Sequence, residues 1–224
     1  MALNYSETVI EHFTNPHNVG ELDDANAKAT EGSPACGDMV TFSLKIDPES
    51  HVIEDIKFRS YGCASNIATA SMATKMAKGK TIEEVKKYGS KAIAAELGGL
   101  PAVKMHCSVL AVHGLKQAIK QWEIDHGLAE EENIILNEKT VKKLLKNVVN
   151  PQTGENIVKM GMVKYVKIDG DRVYVEITMQ DTDEMYAQNI YEEVVEGLEA
   201  MKCCGEVFVK VASNSGVLFQ NGEN

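Results

Sequence analysis

Residues 40–46 read Val-Thr-Phe-Ser-Leu-Lys-Ile, and residues 52–59 read Val-Ile-Glu-Asp-Ile-Lys-Phe-Arg. Apolar and polar side chains alternate in the first segment, which predicts a strand with one buried face. The connection at residues 47–50, Asp-Pro-Glu-Ser, has the composition of a turn. The two segments are therefore expected to pair as an antiparallel hairpin in the first half of the chain.

Helices are predicted on both sides of this hairpin. A serine cap, a glycine after the second strand and a capping-box sequence at residues 81–84 mark three of their starts. The expected helical segments are residues 6–14, 65–77, 81–97 and 107–126. Helices and strands come in separate runs, which is typical of an α+β fold.

A second unit follows a segment that contains three consecutive glutamates at residues 130–132. Its pattern predicts a helix after Asn137, two alternating strands, an acidic helix and a last short strand. The expected organisation is a first domain at 1–127, a linker at 128–137, a smaller α+β domain at 138–213 and a frayed polar tail at 214–224.

Charge and hydropathy exclude two classes of partner. The 224 residues carry a net charge of −10, and Arg59 and Arg172 are the only arginines, so a basic face that binds nucleic acid is not expected. The longest uncharged stretch, residues 60–74, is too short and too rich in Ser and Thr to span a membrane. Without a recognisable secretory signal, a cytoplasmic location with reduced thiols is the expectation.

Cysteine placement suggests chemistry in the first domain. The chain has five cysteines, an odd number that argues against a disulfide framework. Cys36, Cys63 and Cys107 all lie in turns, and the last two lie at predicted helix starts, where the thiolate is favoured. Asp38 and His106 are next to them and offer an oxygen and a nitrogen ligand. Such a set suits zinc or an iron–sulfur cluster, although a cysteine can also be a buried apolar residue.

Three further residues are weaker candidates. Lys104 is either a cation close to the thiolates or a solvated surface charge. Cys203 and Cys204 are adjacent, and neighbouring residues on a strand face opposite ways. They can form a joint redox or metal site only if they lie in a turn.

Several ordered motifs make the first half resemble the IscU/NifU N-terminal family of iron–sulfur cluster scaffolds. They are Pro-Ala-Cys-Gly-Asp at 34–38, Tyr-Gly-Cys-Ala-Ser at 61–65 and Leu-Pro-Ala-Val-Lys-Met-His-Cys-Ser at 100–108, with Asn-Pro-His-Asn-Val-Gly at 15–20. The resemblance covers about residues 1–127. It implies a compact α+β domain with a small three-stranded antiparallel sheet, whose third strand lies around Thr30.

The resemblance also implies a function and a ligand set. A labile [2Fe–2S] cluster would assemble transiently on Cys36, Cys63 and Cys107, with Asp38 and His106 assisting, and then pass to acceptor apoproteins. Sulfur would arrive as a persulfide from a cysteine desulfurase, with Cys107 as the acceptor. The protein would be a carrier and not an enzyme. Zinc can occupy the apo site, and two chains can share one cluster as a homodimer.

Two alternatives keep the same cysteines but change the chemistry. One is a zinc-dependent sulfurtransferase, and the other is a purely structural zinc site. The chain lacks the insertion between Cys63 and Cys107 that SufU-type sulfurtransferases carry, which favours the scaffold. Ala102 stands where relatives served by an Hsp70-type chaperone often have a second proline.

The second half resembles the PaaD-like family linked to iron–sulfur protein maturation. The resemblance depends on Val-Val-Asn-Pro at 148–151 with Gly154, on residues 156–163 and on the hairpin that follows. That family carries a reactive cysteine after its second strand, and the corresponding loop at 180–185 has none. A docking or targeting role is therefore predicted for this half.

Overall fold

The chain folds into two compact units, Met1–Glu131 and Glu132–Asn224. The structure, a computed structural model, describes residues 4–33, 37–130, 135–150, 152–179, 184–201, 203–213 and 215–221.

The first unit is built on an antiparallel sheet of three strands in the order β1-β2-β3. The strands are β1 (Ala27–Ser33), β2 (Asp38–Ile46) and β3 (Ile53–Tyr61). The four apolar side chains that alternate along β2 are almost completely buried, because they form the face that the helices cover. The hairpin predicted from the sequence is confirmed as β2 and β3. The third strand implied by the family resemblance is β1.

Five helices surround this sheet in the described part of the unit. They are α1 (Glu7–Thr14), α2 (Ala64–Ala77), α3 (Ile82–Val85), α4 (Ser90–Glu96) and α5 (Met105–Asp125). The Ser6 hydroxyl accepts a hydrogen bond from the Val9 N–H and caps α1, and the capping box at Thr81 starts α3. The expected single helix over 81–97 is divided into α3 and α4 at Gly89, since glycine is a poor helix former.

Helix α2 is the central element of the unit. Ten of its fourteen residues are buried, and most of them are Ala, Ser or Thr. Small side chains let α1, α5 and the sheet approach α2 closely from different sides. The N-terminus of α2 is therefore fixed by the core of the unit.

The second unit pairs one sheet with two helices. Its elements are α6 (Glu138–Leu145), β4 (Val163–Asp169), β5 (Arg172–Met179), α7 (Glu184–Glu199), β6 (Glu206–Ser213) and β7 (Gly216–Gln220). The strand order is β4-β5-β6-β7, and only β5 and β6 are parallel among these pairs. Helix α7 makes the crossover between them, which buries Ile190, Val194 and Leu198 against the sheet.

The expected frayed polar tail at 214–224 is wrong for five of its eleven residues. Residues Gly216–Gln220 form β7, which pairs antiparallel with β6. Leu218 and Phe219 explain the difference, because both pack against the core of the second unit. The last three residues of the chain lie outside the described part.

Within the described residues, no helix combines the length and the apolar character needed to cross a membrane.

Candidate metal and sulfur site

The site begins where β2 starts and β3 ends. Met39 pairs with Tyr61 across the two strands, so Asp38 and the turn after Tyr61 lie at the same end of the sheet. Cys63 is the N-cap residue of α2, and its N–H donates a 2.9 Å hydrogen bond to Asp38 Oδ1. The carboxylate therefore lies at the N-terminus of a buried helix, where free N–H groups favour negative charge.

A glycine makes this approach possible. A Cβ atom at Gly62 would lie 2.4 Å from Asp38 Oδ1 and 2.8 Å from Asn66 Nδ2, so no other residue fits without displacing them. Asn66, fully buried in the first turn of α2, donates from Nδ2 to the Met39 carbonyl at 3.3 Å and to Ser60 Oγ at 3.0 Å. These contacts tie the ends of both strands to α2.

Helix α5 supplies the other half of the site. Cys107 is fully buried in its first turn, and its carbonyl accepts a hydrogen bond from the Thr69 hydroxyl of α2 at 3.2 Å. The Cys107 Sγ lies 3.7 Å from Cys63 Sγ and 3.6 Å from Asp38 Oδ2. His106 Nε2 lies 3.4 Å from the same sulfur and 3.9 Å from Asp38 Oδ2.

These separations match the edges of a metal coordination polyhedron. Two sulfurs bound to one tetrahedral metal at ~2.3 Å lie roughly 3.8 Å apart, close to the distance between Cys63 and Cys107. Asp38, His106 and Cys107 form one set of three ligand atoms within 4.8 Å of one another. Cys63, 3.4 Å from Asp38 Oδ2, forms a second set with Asp38 and Cys107. The two sets share Asp38 and Cys107.

The thiols of Cys63 and Cys107 differ in pKa because they share a hydrogen bond and differ in burial. A hydrogen bond from the Cys107 thiol lowers the pKa of Cys63 to about 6, and the N–H of Asn66 acts in the same direction. The same hydrogen bond, together with burial and the charge on Asp38, raises the pKa of Cys107 far above its usual range. At neutral pH Cys63 is therefore the thiolate, while Cys107 is a protonated donor.

Two more side chains adjust the charge of the site. Burial lowers the pKa of His106, and Lys104 acts in the same direction, so the imidazole is neutral and its lone pair is available to a metal. Burial would lower the pKa of Lys104, but the negative charges of Cys63 and Asp38 outweigh that effect and raise it. Lys104 is thus the cation that faces the thiolate.

The structure brings four of the predicted ligands together: Asp38, Cys63, His106 and Cys107. Lys104, the accessory candidate, interacts electrostatically with them. Cys36, the third predicted thiol, lies outside the described residues.

Sequence reasoning missed the residues that support these ligands, namely Gly62, Asn66 and Thr69. A glycine directly before Cys63 was a usable signal, since glycine often marks close approach of the backbone. Asn66 and Thr69 gave a weaker signal, because both are poor helix formers that nevertheless lie inside a predicted helix.

The first unit matches a family of known proteins. The profile of the NifU-like N-terminal domain family matches residues 4–128, which is more than half of the chain and includes the whole site. The chain belongs to the NifU-like N-terminal domain family. This NifU-like chain is 48% identical over 142 residues to "Iron-sulfur cluster assembly scaffold protein IscU 1" of Archaeoglobus fulgidus, covering 63% of the chain and 92% of the relative.

Two further comparisons concern the same NifU-like half. "Iron-sulfur cluster assembly scaffold protein IscU" of Azotobacter vinelandii is 45% identical over 127 residues, covering 55% of the chain and 98% of the relative. The crystal structure of the N-terminal part of a nitrogen-fixing NifU-like protein from Brucella abortus aligns with a TM-score of 0.45 at 23% identity, covering 53% of this chain and 93% of that chain.

A second profile, described as an iron–sulfur cluster assembly protein, matches residues 138–211 of the second unit. The first half is thus similar to proteins named as iron–sulfur cluster assembly scaffolds, and the second half matches a family named for iron–sulfur cluster assembly, as the sequence predicted.

Proposed function

We propose that this protein is an iron–sulfur cluster assembly scaffold, a carrier without catalytic turnover on a small molecule. It receives iron and persulfide sulfur, assembles a labile [2Fe–2S] cluster as cargo and passes it to acceptor apoproteins. The observation that carries the proposal is the convergence of Cys63, Cys107, Asp38 and His106 at one end of the sheet, together with membership of the NifU-like family.

The mixed ligand set supports a labile site. Thiolates bind iron strongly, whereas a carboxylate is a harder and weaker partner that can leave. Asp38 belongs to both sets of three ligand atoms, so its departure would weaken both sets together.

The family resemblance, and not the proton distribution, assigns the sulfur acceptor in this proposal. The donor persulfide of a cysteine desulfurase carries an outer sulfur that an acceptor thiolate attacks, while the donor thiolate leaves with the electron pair of the broken S–S bond. Cys107 is the acceptor in this proposal. Its thiol is buried and protonated, so Cys63, 3.7 Å away, takes the proton as Cys107 attacks.

Anaerobic reconstitution with ferrous iron and inorganic sulfide tests the scaffold. We expect visible charge-transfer absorption that is retained in the Cys203→Ser/Cys204→Ser variant and lost in Cys36→Ala, Cys63→Ala and Cys107→Ala. Tightly bound zinc in the purified protein, no absorption on reconstitution and faster turnover of the desulfurase would instead indicate a zinc-dependent sulfurtransferase.

Two finer parts of the proposal have their own measurements. Peptide mass mapping after incubation with a desulfurase and its substrate locates the persulfide, expected on Cys107. Size-exclusion chromatography of the apo and loaded forms tests whether two chains share a cluster, which a loaded monomer would contradict.

A further inference from the structure

The sulfurs of Cys63 and Cys107 lie in a contact that permits chemistry other than metal binding. Their Sγ atoms are 3.7 Å apart, within hydrogen-bonding distance, although 44 residues separate them in the chain. A disulfide bond is about 2.05 Å long, so the two atoms reach bonding distance after an approach of roughly 1.6 Å. The fold therefore places these residues as a dithiol as well as two ligands.

Hydrogen bonds to the backbone fix both members of this pair. Cys63 is the N-cap residue of α2, and its N–H donates a 2.9 Å hydrogen bond to Asp38 Oδ1. Cys107 is fully buried in the first turn of α5, and its carbonyl accepts a 3.2 Å hydrogen bond from the Thr69 hydroxyl of α2. The contact between the two sulfurs therefore follows from the packing of α5 on α2.

Three described side chains lie close to the Cys107 sulfur, and a thiol is the group among them that can supply electrons. The distances to Cys107 Sγ are 3.6 Å from Asp38 Oδ2, 3.4 Å from His106 Nε2 and 3.7 Å from Cys63 Sγ. A carboxylate and an imidazole do not reduce sulfur, whereas a thiol does so when it becomes half of a disulfide. Contact also makes the reaction intramolecular, which favours Cys63 over a thiol in solution.

We propose that Cys63 reduces the persulfide sulfur on Cys107 to sulfide and that the pair closes as a disulfide. This inference rests on the proposed function, which delivers sulfur to Cys107 as a persulfide. Such sulfur is two electrons more oxidised than the sulfide that an iron–sulfur cluster contains, so it must be reduced before the cluster forms. The Cys63 and Cys107 sulfurs supply those two electrons beside the other ligands of the site.

The reduction balances in atoms and electrons. After sulfur transfer, Cys107 carries the outer sulfur as an anion, and Cys63 carries the proton that Cys107 gave up. Cys63 Sγ attacks Cys107 Sγ, and the bond from Cys107 Sγ to the outer sulfur breaks. The outer sulfur leaves as HS⁻, with the electron pair of that bond and the proton of Cys63. The two cysteine sulfurs are oxidised to a disulfide, and one sulfane sulfur is reduced to sulfide.

A small thiol of the glutathione class then restores the pair. Two molecules of this thiol reduce the disulfide between Cys63 and Cys107 and are themselves oxidised to a disulfide. Both cysteine sulfurs are then free to bind iron. Sulfide formation and cluster binding thus use the same two sulfurs, one after the other.

Sulfide release in the absence of iron tests the proposal on the full, pre-reduced chain. An equimolar amount of glutathione persulfide is added anaerobically, and small thiols are removed at once by gel filtration. Alkylation at early times is expected to trap the persulfide on Cys107. At later times we expect an equimolar release of sulfide and a disulfide that joins the Cys63 and Cys107 peptides. A persulfide that stays on Cys107, or a disulfide from Cys107 to another cysteine, would overturn the proposal.

The Cys63→Ser variant separates sulfur transfer from reduction. Serine cannot form a disulfide, so this variant is expected to keep the persulfide on Cys107 and to release no sulfide. Cys203→Ser/Cys204→Ser is the matched control, because it removes two half-buried thiols of the second unit, and its sulfide release should equal that of wild type. Wild-type release from Cys63→Ser, or loss of release in the control, would overturn the proposal. Emission from Trp122, buried in the first unit, checks that each variant is folded.

Reconstitution of the wild type with ferrous iron and inorganic sulfide distinguishes this inference from the scaffold proposal, because inorganic sulfide needs no reduction. If the protein loads a cluster from inorganic sulfide but keeps a stable persulfide in the iron-free assay, the reduction is refuted and the scaffold stands. If the protein releases sulfide and forms the disulfide but does not load a cluster, the scaffold is refuted and the reduction stands.

Discussion

Replacing Gly62 by alanine tests whether close approach of the backbone positions the Asp38 ligand. The new Cβ would meet Asp38 Oδ1 at 2.4 Å, whereas ordinary contacts begin at 3.4 Å. The carboxylate must therefore withdraw by about 1 Å. It cannot do so freely, because it is 4% exposed and packs against the sulfurs of Cys63 and Cys107 at 3.4 and 3.6 Å.

The cost has two parts. Withdrawal breaks the 2.9 Å hydrogen bond from the Cys63 N–H to Asp38 Oδ1, a bond to a charged acceptor worth about 1.5–3 kcal/mol. Crowding of a packed site adds about 1 kcal/mol. We expect Gly62→Ala to lower the free energy of unfolding of the first unit by roughly 2–4 kcal/mol. The effect comes from a single added methyl group.

Urea denaturation followed by tryptophan fluorescence measures this loss in the full chain. Trp122 is the only tryptophan and is completely buried in the first unit, so its emission reports that unit alone. Gly32→Ala is the matched control, because Gly32 pairs with Met39 beside the site and a Cβ there makes only ordinary contacts, at 3.8 Å or more.

A double-mutant cycle with Asp38→Ala identifies the carboxylate as the cause. With the carboxylate removed, alanine at position 62 should destabilise the unit much less, since Asp38 supplies two of the three nearest atoms, including the nearest. An equal cost in both backgrounds, or a cost no larger than that of Gly32→Ala, would refute the reasoning.

Three further expectations concern the ligands and the second unit. Cys107→Ala removes the hydrogen bond that stabilises the Cys63 thiolate, so the pH midpoint of Cys63 alkylation should move from about 6 towards 9. Alkylation by iodoacetamide, read by mass spectrometry, measures this midpoint, and an unchanged midpoint would contradict the prediction. Asp38→Ala should slow cluster transfer to an acceptor apoprotein, and transfer at the wild-type rate with equal loading would exclude a role for the carboxylate in release. Burial raises the pKa of Glu193 from 4.5 to about 7, so the folded state holds this proton more tightly and stability falls as pH rises through that range. Glu193→Gln should therefore stabilise the second unit against urea at pH 8 but not at pH 4, as followed by far-UV circular dichroism; the same difference at both pH values would contradict the assignment.

Local structure was predictable wherever side-chain period and capping residues decide it. The strand from Val40 to Ile46 has a strict period of two, and Thr81 with Glu84 forms the expected capping box. The order of strands in the second sheet could not be predicted. Nothing in the sequence of β6 specifies that it pairs parallel to β5, with α7 as the connection between them. The strand β7 was missed because its short apolar run is flanked by Ser, Asn and Gly, which resemble a frayed end.

The ligand types of the candidate site could be predicted, but its internal charge distribution could not. Placement in turns and at predicted helix starts, together with the family resemblance, brought Asp38, Cys63 and His106 into consideration with Cys107. Which thiol keeps the proton depends on a 3.7 Å contact between sulfurs that are 44 residues apart, and on the burial of one of them. Such quantities arise only from the assembled core.

The burial of α2 has a mechanical consequence for the site. Cys63, whose N–H donates to Asp38, caps a helix that is packed by the sheet, α1 and α5, so this side of the site cannot move without disturbing the core. His106 and Cys107 begin α5, whose first turn is also partly buried and is attached to α2 by the Thr69 hydroxyl. The Cys63 and Cys107 sulfurs are therefore held 3.7 Å apart by two packed helices, so release of a cargo would leave both in place for the next load.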